Sequence, residues 1–173
     1  MDKWFMVVVI GSDRPGIVAK VTSALFEGGC NLGEASMTRL GGNFTMMLMV
    51  QSEGREAALK ALLAPVVESL ALHLHIDRIK GALHHHVEPD VRITLFGADR
   101  GGIVAHATAA LAEAGLHILS LESDVAGTPQ QPLYVLHIEG KAQEGIAALA
   151  SALEIVACEG IDTRIVPVET VIG

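Results

Sequence analysis

The chain has 173 residues, half of them hydrophobic but only 3% aromatic, so its core must be filled by Ala, Val, Ile, Leu and Met rather than by large rings. Its net charge of −8 is lopsided: residues 1–86 balance 8 Lys and Arg against 8 Asp and Glu, whereas residues 87–173 carry 4 against 12. A surface of that sign repels phosphate backbones, which argues against direct nucleic-acid binding. The longest strictly apolar run, Trp4 to Ile10, falls far short of the roughly 20 residues that span a bilayer, so no membrane partner is expected.

That run has strand length, as for a central strand buried on both faces. The following turn contains Asp13, Pro15 and Gly16. Asp13 is placed to cap the next helix and Pro15 fits its first turn. Ile17, Val18, Val21, Ala24 and Leu25 then recur at helical spacing until Gly28-Gly29 stop them. Residues 31–39 read as a second strand and 44–51 as a third, joined through Gly41-Gly42-Asn43 in a hairpin. A second helix is predicted over about 55–69, bent or shortened by Pro65. Leu70, Leu72, Leu74 and Ile76 alternate with Ala71, His73, His75 and Asp77, giving a fourth strand with one buried and one wetter face.

The chain then repeats itself. Gly11 to Lys20 matches Gly97 to His106 at 7 of 10 positions, at an offset of 86, and the next ten positions add 5 identities. The same offset, ungapped, pairs Gly41 with Gly127, Glu53-Gly54 with Glu139-Gly140, Glu68 with Glu154, and Arg78-Ile79 with Arg164-Ile165. The second copy should place strands near 91–96, 117–125, 133–139 and 161–168. The order βαββαβ, twice, defines an α+β fold of two ferredoxin-like modules, each an antiparallel four-stranded sheet with two helices on one face. Residues 1–82 form the first module and 91–173 the second. Residues 83–90 join them, in a stretch from Gly81 to Asp90 where three histidines and Pro89 interrupt the apolar pattern.

Two features of the first copy point to a ligand. Backbone N–H groups at a helix N-terminus are unpaired and partially positive, and glycine there lets a carboxylate approach, so Gly16 and Ile17 are candidate contacts for an acid group. Asn31 can both donate and accept. Asp13 can pair an ammonium, although capping the helix is the competing task.

The run Gly11 to Ala19, GSDRPGIVA, followed by Gly29-Cys30-Asn31-Leu32, resembles the signature of ACT domains. The resemblance covers nearly the whole chain as a tandem pair. It implies an amino-acid site between modules, lined by the loop after the first strand and the start of the second, here Asp13, Arg14, Pro15, Gly16, Ile17, Asn31 and Leu32. A second candidate site follows in Asp99, Gly101, Gly102, Ile103 and His117. There the copy departs from the pattern, with Gly101 in place of Pro15 and His117 in place of Asn31. A tandem of this kind resembles the glycine cleavage system transcriptional repressor group, which implies action through a protein partner and suggests glycine or serine as ligand. The expectation is a non-enzymatic, cytoplasmic, homodimeric amino-acid sensor. The alternatives are a regulatory subunit of an amino-acid biosynthetic enzyme and a ligand-free interaction scaffold.

Competing chemistry is sparse. His73 and His75 share a strand face and His84, His85 and His86 cluster in the linker, but no carboxylate or thiolate stands at ligand spacing, so no metal or cofactor is expected. Cys30 and Cys158 form no CxxC and read as ordinary small apolar residues. No GxSxG, GxxxxGK[ST], HExxH or GxGxxG motif is present, which argues against an enzyme.

Overall fold

The computed structural model describes residues 3–80, 87–98, 102–128, 130–158 and 160–168. The linker positions 83–86 with their three histidines, and the candidate residues Asp99 and Gly101, lie outside the described residues. The chain divides into two compact units, Met1–His84 and His85–Gly173.

In the first unit the elements are β1 (Lys3–Ser12), α1 (Ile17–Glu27), β2 (Asn31–Leu40), β3 (Asn43–Ser52), α2 (Glu56–Leu70) and β4 (His73–Ile79). The sheet has the order β2-β3-β1-β4, with every pairing antiparallel. The second unit repeats the plan with β5 (Val91–Ala98), α3 (Ile103–Glu113), β6 (Leu116–Thr128), β7 (Gln131–Ala142), α4 (Ile146–Ala157) and β8 (Asp162–Pro167), in the order β6-β7-β5-β8. Both units are the α+β ferredoxin-like fold that the element order predicts.

Period-2 burial builds each core. Phe5, Val7 and Val9 point to one face of β1 and are buried together with Phe44, Met46, Leu48 and Val50 of β3 and Ile76 of β4. Ile17, Val21 and Leu25 of α1 and Leu59 and Leu63 of α2 close over that face, so both helices lie on one side of the sheet. The same arrangement in the second unit joins Val91, Ile93 and Leu95 to Leu136 and Ile138 under Ile103, Leu111, Leu149 and Leu153.

Three details differ from the sequence expectation. β1 is buried on one face only: the alternating Trp4, Met6 and Val8 are half-buried and Ile10 is exposed, because no layer of the same unit covers the far side of the sheet. Trp4 instead lies across that open face beside Gly33, where an added Cβ would stand 2.9 Å from the indole. α2 runs unbroken through Pro65 to Leu70, with Ala71 as its left-handed C-cap, so β4 begins later than expected. Proline removes one helical hydrogen bond, and the buried stripe of Leu59, Leu63 and Leu70 holds the helix together across the gap.

The ungapped repeat also fails beyond β2 and β6. Val50 of β3 sits opposite Phe5, and its counterpart opposite Val91 is Gly140, because the β6–β7 hairpin is longer. In the last strands, Arg78 pairs with core-facing Phe5 whereas Arg164 pairs with Thr94 on the open face. Identical residues at that offset therefore point to opposite sides of their sheets.

Asp90 ties the second sheet at its start. Its Oδ1 accepts the Ala142 N–H at 2.8 Å, its Oδ2 lies 3.0 Å from Lys141 Nζ, and its carbonyl accepts the Val168 N–H at 2.8 Å. The Ala142 hydrogen bond, with help from Lys141 and against a smaller desolvation effect, holds the Asp90 carboxyl below its ordinary value. A depressed folded-state value means stability that is present above the unfolded carboxylate range and is lost as pH falls through the folded value. Asp90→Asn is accordingly expected to lower the melting temperature at neutral pH and to narrow its gap from the parent chain on acidification, read by thermal melts from pH 7 to pH 3. Leu63→Ala, at a fully buried position, is expected to cost roughly 2–5 kcal/mol in denaturant unfolding.

Candidate functional site

The end of β1, the loop to α1 and the end of β2 converge on one corner of the first unit. The Asp13 N–H donates to the Gly42 carbonyl at 3.0 Å, which ties the loop to the β2–β3 turn. Gly16 is the N-cap of α1 with φ 86° and ψ 0°, a left-handed conformation that disfavours side chains bearing a Cβ. No side chain caps the helix. Asp13 therefore does not take the capping role expected of it, and Pro15 lies in the turn before the cap rather than in the first helical turn. The chain needs Gly16 itself as the cap, and this leaves the first-turn N–H groups of α1 open to an outside acceptor.

Asp13 is engaged elsewhere. Its Oδ2 lies 2.5 Å from Nη2 of Arg39, near the end of β2, with side chains 26% and 68% exposed respectively. Around this pair opens a cavity of about 600 Å³, lined by Asp13, Arg14, Pro15, Gly16, Ile17, Val18 and Ala19 from the loop and helix, and by Met37, Arg39 and Phe44 from the strands. Ile17 and Phe44 are buried and form an apolar floor. Two guanidinium groups, one carboxylate and a helix N-terminus thus meet above a hydrophobic base, which suits a small molecule bearing a carboxylate and an apolar or small body.

Of the residues read from the sequence, Asp13, Arg14, Pro15, Gly16 and Ile17 come together here. Asn31 and Leu32 do not. Asn31 pairs with Gln51, which in turn pairs with Trp4 at the start of β1, and its Nδ2 donates to Gln51 Oε1 at 3.3 Å. The loop leaves the other end of the sheet, so the length of a ten-residue strand, on the order of 30 Å, separates Asn31 from the pocket of its own module. Arg39, Met37 and Phe44 were missed. Alternation along β2 carried the signal, since residues 35, 37 and 39 share the helix-facing side.

The second unit keeps Gly102 as a left-handed N-cap, with φ 96°, followed by Ile103. His117 pairs with Lys141, at the end of the sheet far from the N-terminus of α3, so the described members of the second candidate set are not gathered either. Val125, opposite Tyr134, occupies the place that Arg39 has opposite Phe44. The Arg39 guanidinium has no counterpart at that position. Among the described residues no group of three His, Cys, Asp or Glu side chains could hold a metal, and His75 pairs instead with Asp77 at 2.8 Å. Cys30 is buried and Cys158 exposed, both as free thiols. No helix among the described residues is long and apolar enough to cross a membrane.

Two ferredoxin-like units in one chain, the first with a charged pocket at its strand–loop–helix corner, define a tandem small-module protein. A family model for the ACT domain matches residues 3–77. The UPF0237 protein YjhC of Lactococcus lactis is 38% identical over 82 residues, which cover 46% of this chain and 94% of the relative. The glycine cleavage system transcriptional repressor of Escherichia coli is 23% identical over 152 residues, covering 87% of this chain and 80% of that protein. Among solved structures, an unknown protein from Galdieria sulphuraria is 26% identical, with a TM-score of 0.74 over 98% of this chain and 100% of its own. The chain belongs to the ACT-domain family, as a tandem ACT regulatory protein.

Substitution at the corner separates backbone strain from side-chain pairing. A Cβ at Gly16 would meet nothing within 4 Å, so Gly16→Ala should cost only the left-handed backbone strain, about 1–2 kcal/mol. Arg39→Val, which breaks an ion pair whose guanidinium is largely solvated and whose carboxylate is only 26% exposed, should cost about 1 kcal/mol. Urea unfolding of the two variants checks the order.

Proposed function

We propose that the first module binds a free amino acid in the pocket between Asp13, Gly16 and Arg39, and that the chain is a non-enzymatic regulator whose ligand changes its affinity for a protein partner. The observation that carries this reading is the juxtaposition of both charge signs with an uncapped helix N-terminus over an apolar floor. An α-amino acid presents the complementary set. The pocket side chains include no hydroxyl, thiol or imidazole, and the one carboxylate, that of Asp13, is held by Arg39. Similarity to a protein named as a transcriptional repressor supports the regulatory role. Coupling of this kind is reciprocal: the partner must alter amino-acid affinity by the same factor that the amino acid alters partner affinity.

Asn31 and Leu32 fit this reading in a homodimer. β2 is the edge of its sheet and is largely exposed. Two copies of β2 paired antiparallel would bring the Asn31 end of one copy beside the Leu40 end of the other, and so beside its pocket. Asn31→Ala is then expected to weaken amino-acid binding in the associated protein alone, a difference that appears across a dilution series.

The direct test is a thermal-shift screen of the full chain against the twenty amino acids. An amino acid at 100 times its dissociation constant should stabilise the folded state by roughly 2.7 kcal/mol, enough to raise the melting temperature by several degrees. A response to one or two of them supports the sensor, and a flat response to all twenty overturns it.

A further inference from the structure

The two sheets share a plan but differ in chemistry on the face that no helix of their own unit covers. In the first unit the middle strands β3 and β1 present Met49 and Met47 opposite Met6 and Val8, with Trp4 and Ile10 at the two ends of the row. Met47 is 44% exposed and Ile10 43%, large apolar side chains left on an open sheet. The outer strands are polar on this side, with Ser36 and Thr38 on β2 and His73, His75 and Asp77 on β4. The Asp77 carboxylate is already paired, 2.8 Å from the His75 ring. In the second unit Arg92, His137, Glu139 and Arg164 occupy the equivalent face. An apolar centre rich in methionine, with a tryptophan and a polar rim, has the composition of a protein–protein contact rather than of a solvated sheet.

We infer that this open face docks a second copy of the chain, first sheet against first sheet. The strand order makes the face complementary to itself. A two-fold axis running along the strands, midway between β3 and β1, lays β3 of one copy over β1 of the other and β2 over β4. The methionine and valine rows then meet each other, and the hydroxyls of Ser36 and Thr38 meet the imidazoles and carboxylate of the β4 row. Like charges are not brought face to face. Methionine suits such a contact because its unbranched side chain repacks readily against its own image. β1, β2 and β3 are each ten residues long. At about 3.4 Å per residue and about 4.8 Å between strands, the four-stranded face presents roughly 600 Å². Two copies therefore bury about 1,200 Å² in total, which reaches the range of specific interfaces. A charged face such as that of the second unit is the wrong occupant, because Arg92 and Glu139 would lose their water against methionines that offer no polar contact in return. The contact lies on the opposite side of the sheet from the pocket and leaves the β2 edge free, so it stands apart from the amino-acid reading and from edge pairing.

Trp4 is the one tryptophan of the chain and lies across this face, so its fluorescence reports the contact. Sedimentation of the full chain over a dilution series, with acrylamide quenching of Trp4 in the same samples, tests the inference. The parent chain should associate, and Trp4 should become less accessible to the quencher as it does. Met47→Asp places a charge in the centre of the contact and should weaken association at least about tenfold. Met47→Thr, a β-branched residue that strands accept, should weaken it in the same direction without threatening the fold. Phe26→Asp, at a more exposed apolar position on α1, should leave both readouts at the parent level. A chain that stays monomeric overturns the inference, as does one that associates while Trp4 quenching stays constant, the outcome of edge pairing through β2 alone. Parent-like association in Met47→Thr and in folded Met47→Asp overturns it as well.

Discussion

The pocket depends on a stripe of three side chains that it does not contain. Phe5, Val7 and Val9 alternate along β1 and are all but fully buried, and β1 is hydrogen-bonded on both sides, to β3 and to β4. Burying such side chains contributes roughly 1.5–3 kcal/mol each, which fixes the register of the central strand against both neighbours. A slip of one residue would turn the stripe to the open face and move every later group by one position. With the register held, Ser12 ends opposite Asn43, and Asp13 falls beside Gly42 with its carboxylate facing β2. The same stripe seats α1 through Ile17, Val21 and Leu25, which sets where the helix N-terminus opens.

Duplication preserved this stripe and released the other face. Val91, Ile93 and Leu95 repeat Phe5, Val7 and Val9, and all are buried. On the open side the two sheets have parted. Met6 faces Met49 and Val8 faces Met47 in the first, whereas in the second Arg92 pairs with Glu139 at 2.6 Å and Thr94 lies 3.3 Å from the His137 ring. Helix-facing positions answer to one packing problem in both copies, so they admit little beyond a change of apolar size. Open-face positions answer to solvent or to a partner, and there the chemistry is free to change from apolar to charged.

Legibility in the sequence follows the same division. Burial with a fixed period made the strands, helices and module order readable, because a stripe such as Ile17, Val21 and Leu25 must recur every three to four residues wherever a helix covers a sheet. The ends of elements were harder. Leu70 continues the alternation of β4 as well as the stripe of α2, and only packing decides that it belongs to the helix. Residue identity misled most where it was taken without register. Arg78-Ile79 and Arg164-Ile165 are identical dipeptides on opposite faces, because the hairpin between them grew and the later elements shifted. Asn31 was grouped with the loop by its place in a motif, but antiparallel pairing carries it to the far end of the sheet.

Asp13 shows why local rules fall short at a site of this kind. An aspartate before a helix is a strong capping candidate, and nothing near it in sequence argues otherwise. What diverts it is Arg39, 26 residues later, delivered by a hairpin whose turn also accepts the Asp13 N–H. The diversion has two effects at once. It leaves α1 with no side-chain cap, so its partial positive charge stays open to a ligand, and it holds a carboxylate beside that opening in a form that a competing cation can draw away. A cap would have stabilised the helix and closed the corner. The helix instead relies on its buried stripe for stability, and Asp13, which would have finished its end, stays with Arg39.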